Sequence, residues 1–273
     1  MKQGDLMTHT RLLTPLVLVG ALAVTANANS SDNRVGFAER SFTDGSSSYR
    51  YRVFVPAKWT GKKKWPVILF LHGAGERGDD NLAQTRVGIG PALERLKDTL
   101  QAVVVLPQCP RGRWWSEPEM QVLALKALEK SMTEFNADGS RVYLTGLSMG
   151  GYGSWALAVN NPMRFAAISV ICGGIRAPGR AGQLPNPLDV GGDPYRSAAE
   201  KIGKRPIWIF HGGADPVVPV TESRKMVEAF KSLGVIVRFS EYEGVSHNSW
   251  DKAYAEPEIF PWMLAQKLKA AKR

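Results

Sequence analysis

The sequence predicts an α/β fold with a mostly parallel sheet, because apolar strands alternate with helical segments along the chain. Strands covered on both faces must be apolar at nearly every position, and this pattern occurs at residues 67–71, 102–106, 141–145, 166–171 and 207–210. Helical periodicity lies between or after these strands, at residues 91–100, 117–135, 149–159 and 221–233. Such alternation indicates one sheet built through right-handed crossovers, with helices on both faces.

The segments at either end of this region complete the sheet. Alternating stretches within residues 34–55 flank Asp44-Gly45, which predicts a β-hairpin. Thr221 and Gly234 are start and stop signals for the helix at 221–233, and a last strand at 235–242 precedes a helix from about Pro257. The sequence has no internal repeat or low-complexity linker, so we expect a single catalytic domain over residues 29–273.

Residues 1–28 are predicted to be a cleavable signal peptide. Lys2 and Arg11 precede a short apolar stretch at 12–24, and Ala26-Asn27-Ala28 offers a small-x-small cleavage site. The apolar stretch is shorter than the roughly 20 residues that span a bilayer, so we expect no stable membrane insertion. Cleavage after Ala28 places the mature protein in the periplasm or outside the cell.

The formal net charge of +10 raises the question of a nucleic-acid partner. The basic residues are scattered, apart from Lys62-Lys63-Lys64 and a group at the C-terminus. Both groups lie where a solvated loop and a helix end are expected, so we predict no nucleic-acid binding. The sequence gives no indication of oligomeric state.

A sharp turn carrying a nucleophile is predicted at residues 146–150, which read Gly-Leu-Ser-Met-Gly. The turn follows a strand and precedes a helix, as a G-x-S-x-G elbow requires. Glycines at 146 and 150 permit the close backbone approach that raises Ser148 above the sheet. The helix that follows points its N-terminus, with its free N–H groups, at the reacting centre.

A serine hydroxyl at neutral pH needs a general base beside it. Of the four histidines, His9 lies in the predicted signal peptide, and His72 and His211 each close a buried strand before a glycine. Those two positions are typical of residues that support loops. His247 follows the last strand, in the chain order Ser…Asp…His of this kind of elbow, and is the predicted base.

The base needs a carboxylate that orients it, and Asp215 is the predicted residue. It follows the strand at 207–210, so it lies at the carboxyl edge of the sheet, where ligands gather. The competing carboxylates lie in a Pro/Gly-rich surface stretch or at the start of a helix, and are Asp189, Asp193 and Asp251.

Two backbone N–H groups are expected to form an oxyanion hole. One belongs to Met149, the residue after the nucleophile. The other belongs to the glycine-containing loop at 72–78, and we assign it to Ala74, with Gly75 as the second choice and as a candidate substrate contact. This loop lacks the spacing of a phosphate-binding P-loop or dinucleotide motif.

Taken together, these segments resemble the α/β-hydrolases related to carboxylesterases, feruloyl esterases and polyhydroxybutyrate depolymerases, with peptidase-like members among them. The matching sequences are LHGAGERGDD at 71–80, LPQCP at 106–110 with Trp114 and Trp115, GLSMG at 146–150, HGGADP at 211–216 and HNSW at 247–250. The resemblance implies an eight-stranded, mostly parallel sheet without a large lid. It supports Ser148, Asp215 and His247 as the catalytic triad and implies no metal and no cofactor.

The resemblance also bears on the tryptophans and the two cysteines. Trp115 and Trp250, with Trp114, follow strands near one edge and are candidates to line the substrate pocket. In the implied strand order, the strands that end at Cys109 and Cys172 are not adjacent. We therefore expect two unpaired, buried thiols rather than a disulfide.

The expected activity is hydrolysis of a carboxylic ester, small or polymer-borne, through an acyl-enzyme intermediate. Three alternatives stay open at this point. The enzyme could be directed at feruloylated or acetylated xylan or at polyesters, the same machinery could cleave peptides, or the chain could be a binding protein on a hydrolase scaffold.

Overall fold

The computed structural model describes Met1 and residues 35–45, 47–176 and 192–269. The predicted signal peptide, residues 1–28, lies outside the described residues except for Met1, so its cleavage stays a prediction. Among the described residues, no helix has the length and apolar character needed to cross a membrane.

The sheet has eight strands in the order β1-β2-β4-β3-β5-β6-β7-β8. Strands β3 to β8 are parallel to one another, whereas β2 pairs antiparallel with both β1 and β4. The strands are β1 (Gly36–Asp44), β2 (Ser47–Val55), β3 (Trp65–Leu71), β4 (Val103–Pro107), β5 (Ala137–Leu147), β6 (Ala167–Ile171), β7 (Ile207–Gly212) and β8 (Val237–Tyr242).

The α-helices of the described residues cover both faces of this sheet. They are α1 (Ile89–Arg95), α2 (Pro118–Glu134), α3 (Met149–Asn160), α4 (Pro194–Ile202), α5 (Thr221–Ser232), α6 (Trp250–Ala255) and α7 (Ile259–Leu264). One core lies between the sheet and α2 to α5, and a second lies between the sheet and α1, α6 and α7. The predicted fold class, an eight-stranded mostly parallel sheet with helices on both faces, is confirmed.

Burial explains why the strand pattern was legible in the sequence. All residues of β3, β4, β6 and β7 are buried, and nearly all of them are apolar, whereas the edge strand β8 is only partly buried. The hairpin predicted around Asp44-Gly45 is formed by β1 and β2, with Gly45 at a positive φ of 60°.

The helix boundaries depart from the prediction where tertiary packing decides them. The helix expected at 91–100 begins at Ile89 and ends at Arg95. The C-terminal helical region is split into α6 and α7, because Pro257 lacks the N–H needed to continue α6. Helix α4 was not predicted; the carboxylate of Asp193 caps it by accepting the N–H of Tyr195 at 3.0 Å.

The connection between β6 and α4 bears on the expectation of an open cleft. Its residues 177–191 lie outside the described residues. No large lid covers the sheet within the described ranges, in agreement with the prediction. The two cysteines are free and buried, and β4 and β6 are separated by β3 and β5, so the prediction of unpaired thiols is confirmed.

Candidate active site

Ser148 occupies a strained turn between β5 and α3. Its backbone has φ 51° and ψ −117°, a region that residues with a side chain rarely adopt. A Cβ on Gly150 would lie 1.9 Å from the carbonyl oxygen of Leu71, and one on Gly146 would lie 2.3 Å from that of Gly150. The two glycines of the motif are thus required by backbone contact, and the turn presents Ser148 at the carboxyl edge of the sheet.

His247 lies in the loop after β8, within reach of Ser148. Its Nε2 is 2.9 Å from Ser148 Oγ, and its Nδ1 is 2.7 Å from Asp215 Oδ2. The imidazole side chain is 17% exposed, so one side of the ring faces solvent while the Asp215 carboxylate is fully buried. This arrangement allows the ring to take a proton from Ser148 at Nε2 while Nδ1–H stays bonded to Asp215.

Asp215 follows β7 and is held by the backbone of its own turn. Its Oδ1 accepts the N–H groups of Val217 at 2.8 Å and Val218 at 2.9 Å, which leaves Oδ2 for His247. These hydrogen bonds fix the carboxylate in place beside the imidazole. A carboxylate oxygen that accepts from Nδ1 keeps the proton of His247 there, the tautomer in which Nε2 can act as a base.

The other described histidines make structural contacts instead. His72 bonds the carbonyl oxygen of Gly73 through Nδ1 and accepts the N–H of Cys109 at Nε2, and burial lowers its pKa to about 4. His211 bonds Ser223 Oγ and the carbonyl oxygen of Val218, and burial likewise lowers its pKa. Both rings are neutral at pH 7 and hold loops at the sheet edge.

The predicted oxyanion donors lie on either side of the elbow. Met149 is the first residue of α3 and Ala74 the first residue of a short 3₁₀ helix (Ala74–Glu76), so neither N–H has a carbonyl partner within its own helix. A Cβ built on Gly73 would lie 3.8 Å from Ser148 Cβ, which places this loop beside Ser148. Arg77 Nε steadies the loop by donating to the Ala74 carbonyl oxygen at 2.9 Å. Gly75, the second choice, is exposed in the same helix.

The two tryptophans predicted to contact substrate differ in exposure, since Trp250 is partly exposed and Trp115 is buried. Trp250 is partly exposed and stands edge-on to the His247 ring, with centroids 5.4 Å apart. Trp115 is fully buried, and its Nε1 donates to the His72 carbonyl oxygen at 3.0 Å, so it is not brought to the cleft. The expectation for Trp115 is corrected: it packs under the loop, where Gly153 leaves room, since a Cβ there would be 2.2 Å from Trp115 Cβ.

Two residues near the site were not assigned a role from the sequence. Glu76 has a half-buried carboxyl group, and burial raises its pKa. A Cβ built on Gly73 would lie 3.0 Å from Glu76 Oε2 and 3.8 Å from Ser148 Cβ. Glu76 Oε2 and Ser148 Cβ are therefore at most 6.8 Å apart. Cys172 follows β6 and lies beside Asp215 and His247; its place after a strand, like that of Ser148 and Asp215, was the available signal.

Within the described ranges, one group of side chains has metal-binding atom types close together. The Sγ of Cys172, a carboxylate oxygen of Asp215 and a ring nitrogen of His247 all lie within 4.8 Å of one another. The Asp215 and His247 atoms are already engaged with each other, so these contacts do not call for a metal, and the expectation of none stays a prediction.

Comparison with known proteins places this geometry among ester hydrolases. The sequence model of the dienelactone hydrolase family matches residues 103–258. A probable feruloyl esterase C from Aspergillus terreus is 26% identical over 226 residues, covering 81% of this chain and 74% of that protein.

Solved structures give the same result. A thermostable esterase of known crystal structure is 35% identical in sequence to this chain, with a TM-score of 0.72. The match covers 85% of this chain, and this chain spans only 63% of the length of that esterase. A ferulic acid esterase is 17% identical with a TM-score of 0.64, covering 84% of this chain and 97% of that one, a likeness of fold.

Proposed function

The chain belongs to the dienelactone hydrolase family, and on this premise we propose that it is an exported serine hydrolase of carboxylic esters. The resemblance to α/β-hydrolase esterases inferred from the motifs is confirmed by the family match and by the esterase that is 35% identical. The observation that carries the proposal is the hydrogen-bonded chain from Ser148 through His247 to Asp215, with distances of 2.9 and 2.7 Å.

The proposed reaction starts with attack of Ser148 Oγ on the ester carbonyl. His247 Nε2 takes the hydroxyl proton, and the resulting imidazolium is stabilised by the Asp215 carboxylate. The N–H groups of Met149 and Ala74 hold the negative oxygen of the tetrahedral intermediate. His247 then returns the proton to the leaving alkoxide, which departs as an alcohol and leaves an acyl-serine.

Deacylation repeats the same proton path with water. His247 Nε2 takes a proton from the water that attacks the acyl carbonyl, and gives it back to Ser148 Oγ as the carboxylic acid leaves. The geometry supports each role. His247 is hydrogen-bonded to Ser148 and to the buried Asp215 carboxylate, and the N–H groups of Met149 and Ala74 have no carbonyl partner within their own helices.

A polymer-borne ester is the favoured form of the substrate among the alternatives. The support is the 26% identity to a probable feruloyl esterase over 81% of this chain. The predicted signal peptide agrees with a substrate outside the cytoplasm. Peptide hydrolysis has weaker support, since a putative dipeptidyl aminopeptidase IV structure is 17% identical and shares the fold. A non-catalytic binding role is disfavoured by the complete hydrogen-bonded triad.

The test is ester turnover in wild-type protein, Ser148→Ala and the control Ser232→Ala, an exposed serine at the end of α5. Short-chain p-nitrophenyl esters, methyl ferulate, feruloylated and acetylated xylan fragments, polyesters and peptides form the substrate panel. We expect wild type and the control to cleave esters, and Ser148→Ala to lose at least about 10³ in kcat.

A fluorophosphonate probe gives a second readout, because it labels an activated serine independently of substrate choice. Labelling at Ser148 is expected in wild type and in Ser232→Ala. Unchanged turnover in Ser148→Ala contradicts the assignment, and absence of both turnover and labelling in wild type favours the binding-protein alternative.

Export is tested separately by fractionating the producing cells. We expect the mature protein outside the cytoplasm with its N-terminus at Asn29, as read by intact mass spectrometry. A cytoplasmic protein that retains residues 1–28 contradicts the proposal for export and leaves the proposal for catalysis standing.

A further inference from the structure

Cys172 lies where the backbones of the catalytic strands meet. It directly follows β6, whose neighbours in the sheet are β5, leading to Ser148, and β7, leading to Asp215. The carbonyl oxygen of Ile171 accepts the N–H of Ser148 at 2.9 Å, and the N–H of Cys172 donates to the carbonyl oxygen of Phe210 at 2.8 Å. This pair of residues therefore joins the nucleophile elbow to the strand that carries the acid.

The thiol itself lies close to the base and the acid. Its Sγ, a carboxylate oxygen of Asp215 and a ring nitrogen of His247 lie within 4.8 Å of one another. Cys172 has no exposed surface, and its backbone has a φ of 40°, which glycine would adopt without strain. A glycine there would leave the volume of the thiol empty next to the His247 ring.

A second buried side chain meets the thiol from the loop that carries the base. Ser249 has no exposed surface, and its hydroxyl has no hydrogen-bond partner of normal geometry among the described residues. The Cys172 thiol is the polar group beside this hydroxyl. The backbone N–H of Ser249 donates to the carbonyl oxygen of His247 at 2.8 Å. Its backbone carbonyl oxygen accepts the N–H of Ala253 at 3.0 Å, at the start of α6.

We propose that Cys172 is a positioning residue that holds the His247 loop in its productive place, an inference that rests on the proposed ester hydrolysis. The side chain lies beside this loop at His247 and Ser249, and its buried sulfur is within 4.8 Å of the Asp215 and His247 atoms. Removing it gives the imidazole room to leave the line between Ser148 and Asp215, and displacements of about 1 Å at such a site cost on the order of 100-fold in rate.

The test compares Cys172→Ala and Cys172→Ser with Cys109→Ala, the matched loss of the other buried free thiol. In Cys172→Ala we expect kcat for a p-nitrophenyl ester to fall about 10-fold to 100-fold. We expect KM to stay within about twofold, since a fully buried thiol does not contact the substrate. The rate of fluorophosphonate labelling should fall with kcat. Cys172→Ser should recover most of the loss, because its hydroxyl can pair with Ser249, and Cys109→Ala should keep wild-type kcat.

Circular dichroism and thermal melts establish that each variant is folded. A wild-type kcat in folded Cys172→Ala overturns the proposal, as does an equal loss in Cys109→Ala or a Cys172→Ser variant no better than Cys172→Ala. If wild-type protein cleaves no ester, the proposed function fails on its own. The labelling rate then tests Cys172: slower labelling in Cys172→Ala supports its role, and an unchanged rate overturns it.

Discussion

Replacement of Asp215 by asparagine tests the arrangement of the triad most directly. Oδ1 of Asp215 accepts two backbone N–H groups, from Val217 and Val218, at 2.8 and 2.9 Å. In Asp215→Asn the amide oxygen must stay at this position, because an NH₂ group there would face two donors. Losing two such bonds costs on the order of 2–6 kcal/mol, at about 1–3 kcal/mol for each buried group left unpaired.

The NH₂ group of the variant therefore points at His247 and donates to Nδ1. This moves the imidazole proton to Nε2, the atom that must accept the proton of Ser148, so the base is held in the wrong tautomer. We expect kcat to fall about 10⁴-fold, which is about 5 kcal/mol of transition-state stabilisation. The fold should persist, since the asparagine is nearly isosteric with Asp215.

The assay is steady-state hydrolysis of a p-nitrophenyl ester, with thermal melts on the same samples. Asp193→Asn is the control, because asparagine also caps helices and this carboxylate belongs to α4. It should retain wild-type kcat. A kcat for Asp215→Asn within tenfold of wild type, in a folded protein, refutes the role of the carboxylate in fixing the tautomer.

Two further predictions concern stability. Gly150→Ala should lower the free energy of unfolding by about 3 kcal/mol or more, because the new Cβ would lie 1.9 Å from a backbone oxygen. The control Gly139→Ala, whose new Cβ would have no atom within 4 Å, should change it little. Equal midpoints of urea unfolding for the two variants would contradict this. Burial raises the pKa of Glu76, so folding favours its neutral form, and the stability this group contributes is present at low pH and lost as pH rises through the raised pKa. In urea melts, Glu76→Gln should thus be more stable than wild type near pH 8, with the difference closing as pH falls toward 4.5. An equal pH-dependent gain in Glu228→Gln, a substitution on the exposed side of α5, would contradict this reasoning.

Most of the fold could be predicted because its signals are local. Strands buried on both faces are apolar at nearly every position, and the turn at Ser148 needs glycine on either side for reasons of backbone contact. The chain order of nucleophile, acid and base, together with parallel strands sharing one edge, was enough to select Asp215 and His247. The structure joins these residues by hydrogen bonds of 2.7 and 2.9 Å.

Features that depend on which distant segments pack together were not readable in the same way. An aromatic residue after a strand fits a cleft or a core equally well, and Gly153 on α3 decided the matter by admitting Trp115 beneath the loop. The extent of α1 and the presence of α4 depend likewise on neighbouring elements and on the cap at Asp193.

The sequence by itself thus determined the α/β class, the strand succession and the three residues of the predicted triad, because periodicity, glycine spacing and chain order are properties of the sequence alone. Only the tertiary structure decided that Trp115 lies in the core and that Cys172 lies against His247 and Asp215. Those contacts join segments far apart in the chain. Cys172 lies beside His247 and Asp215 because β6 stands between β5 and β7 in the sheet, and Trp115 is buried because the loop after β4 packs against His72 and Gly153.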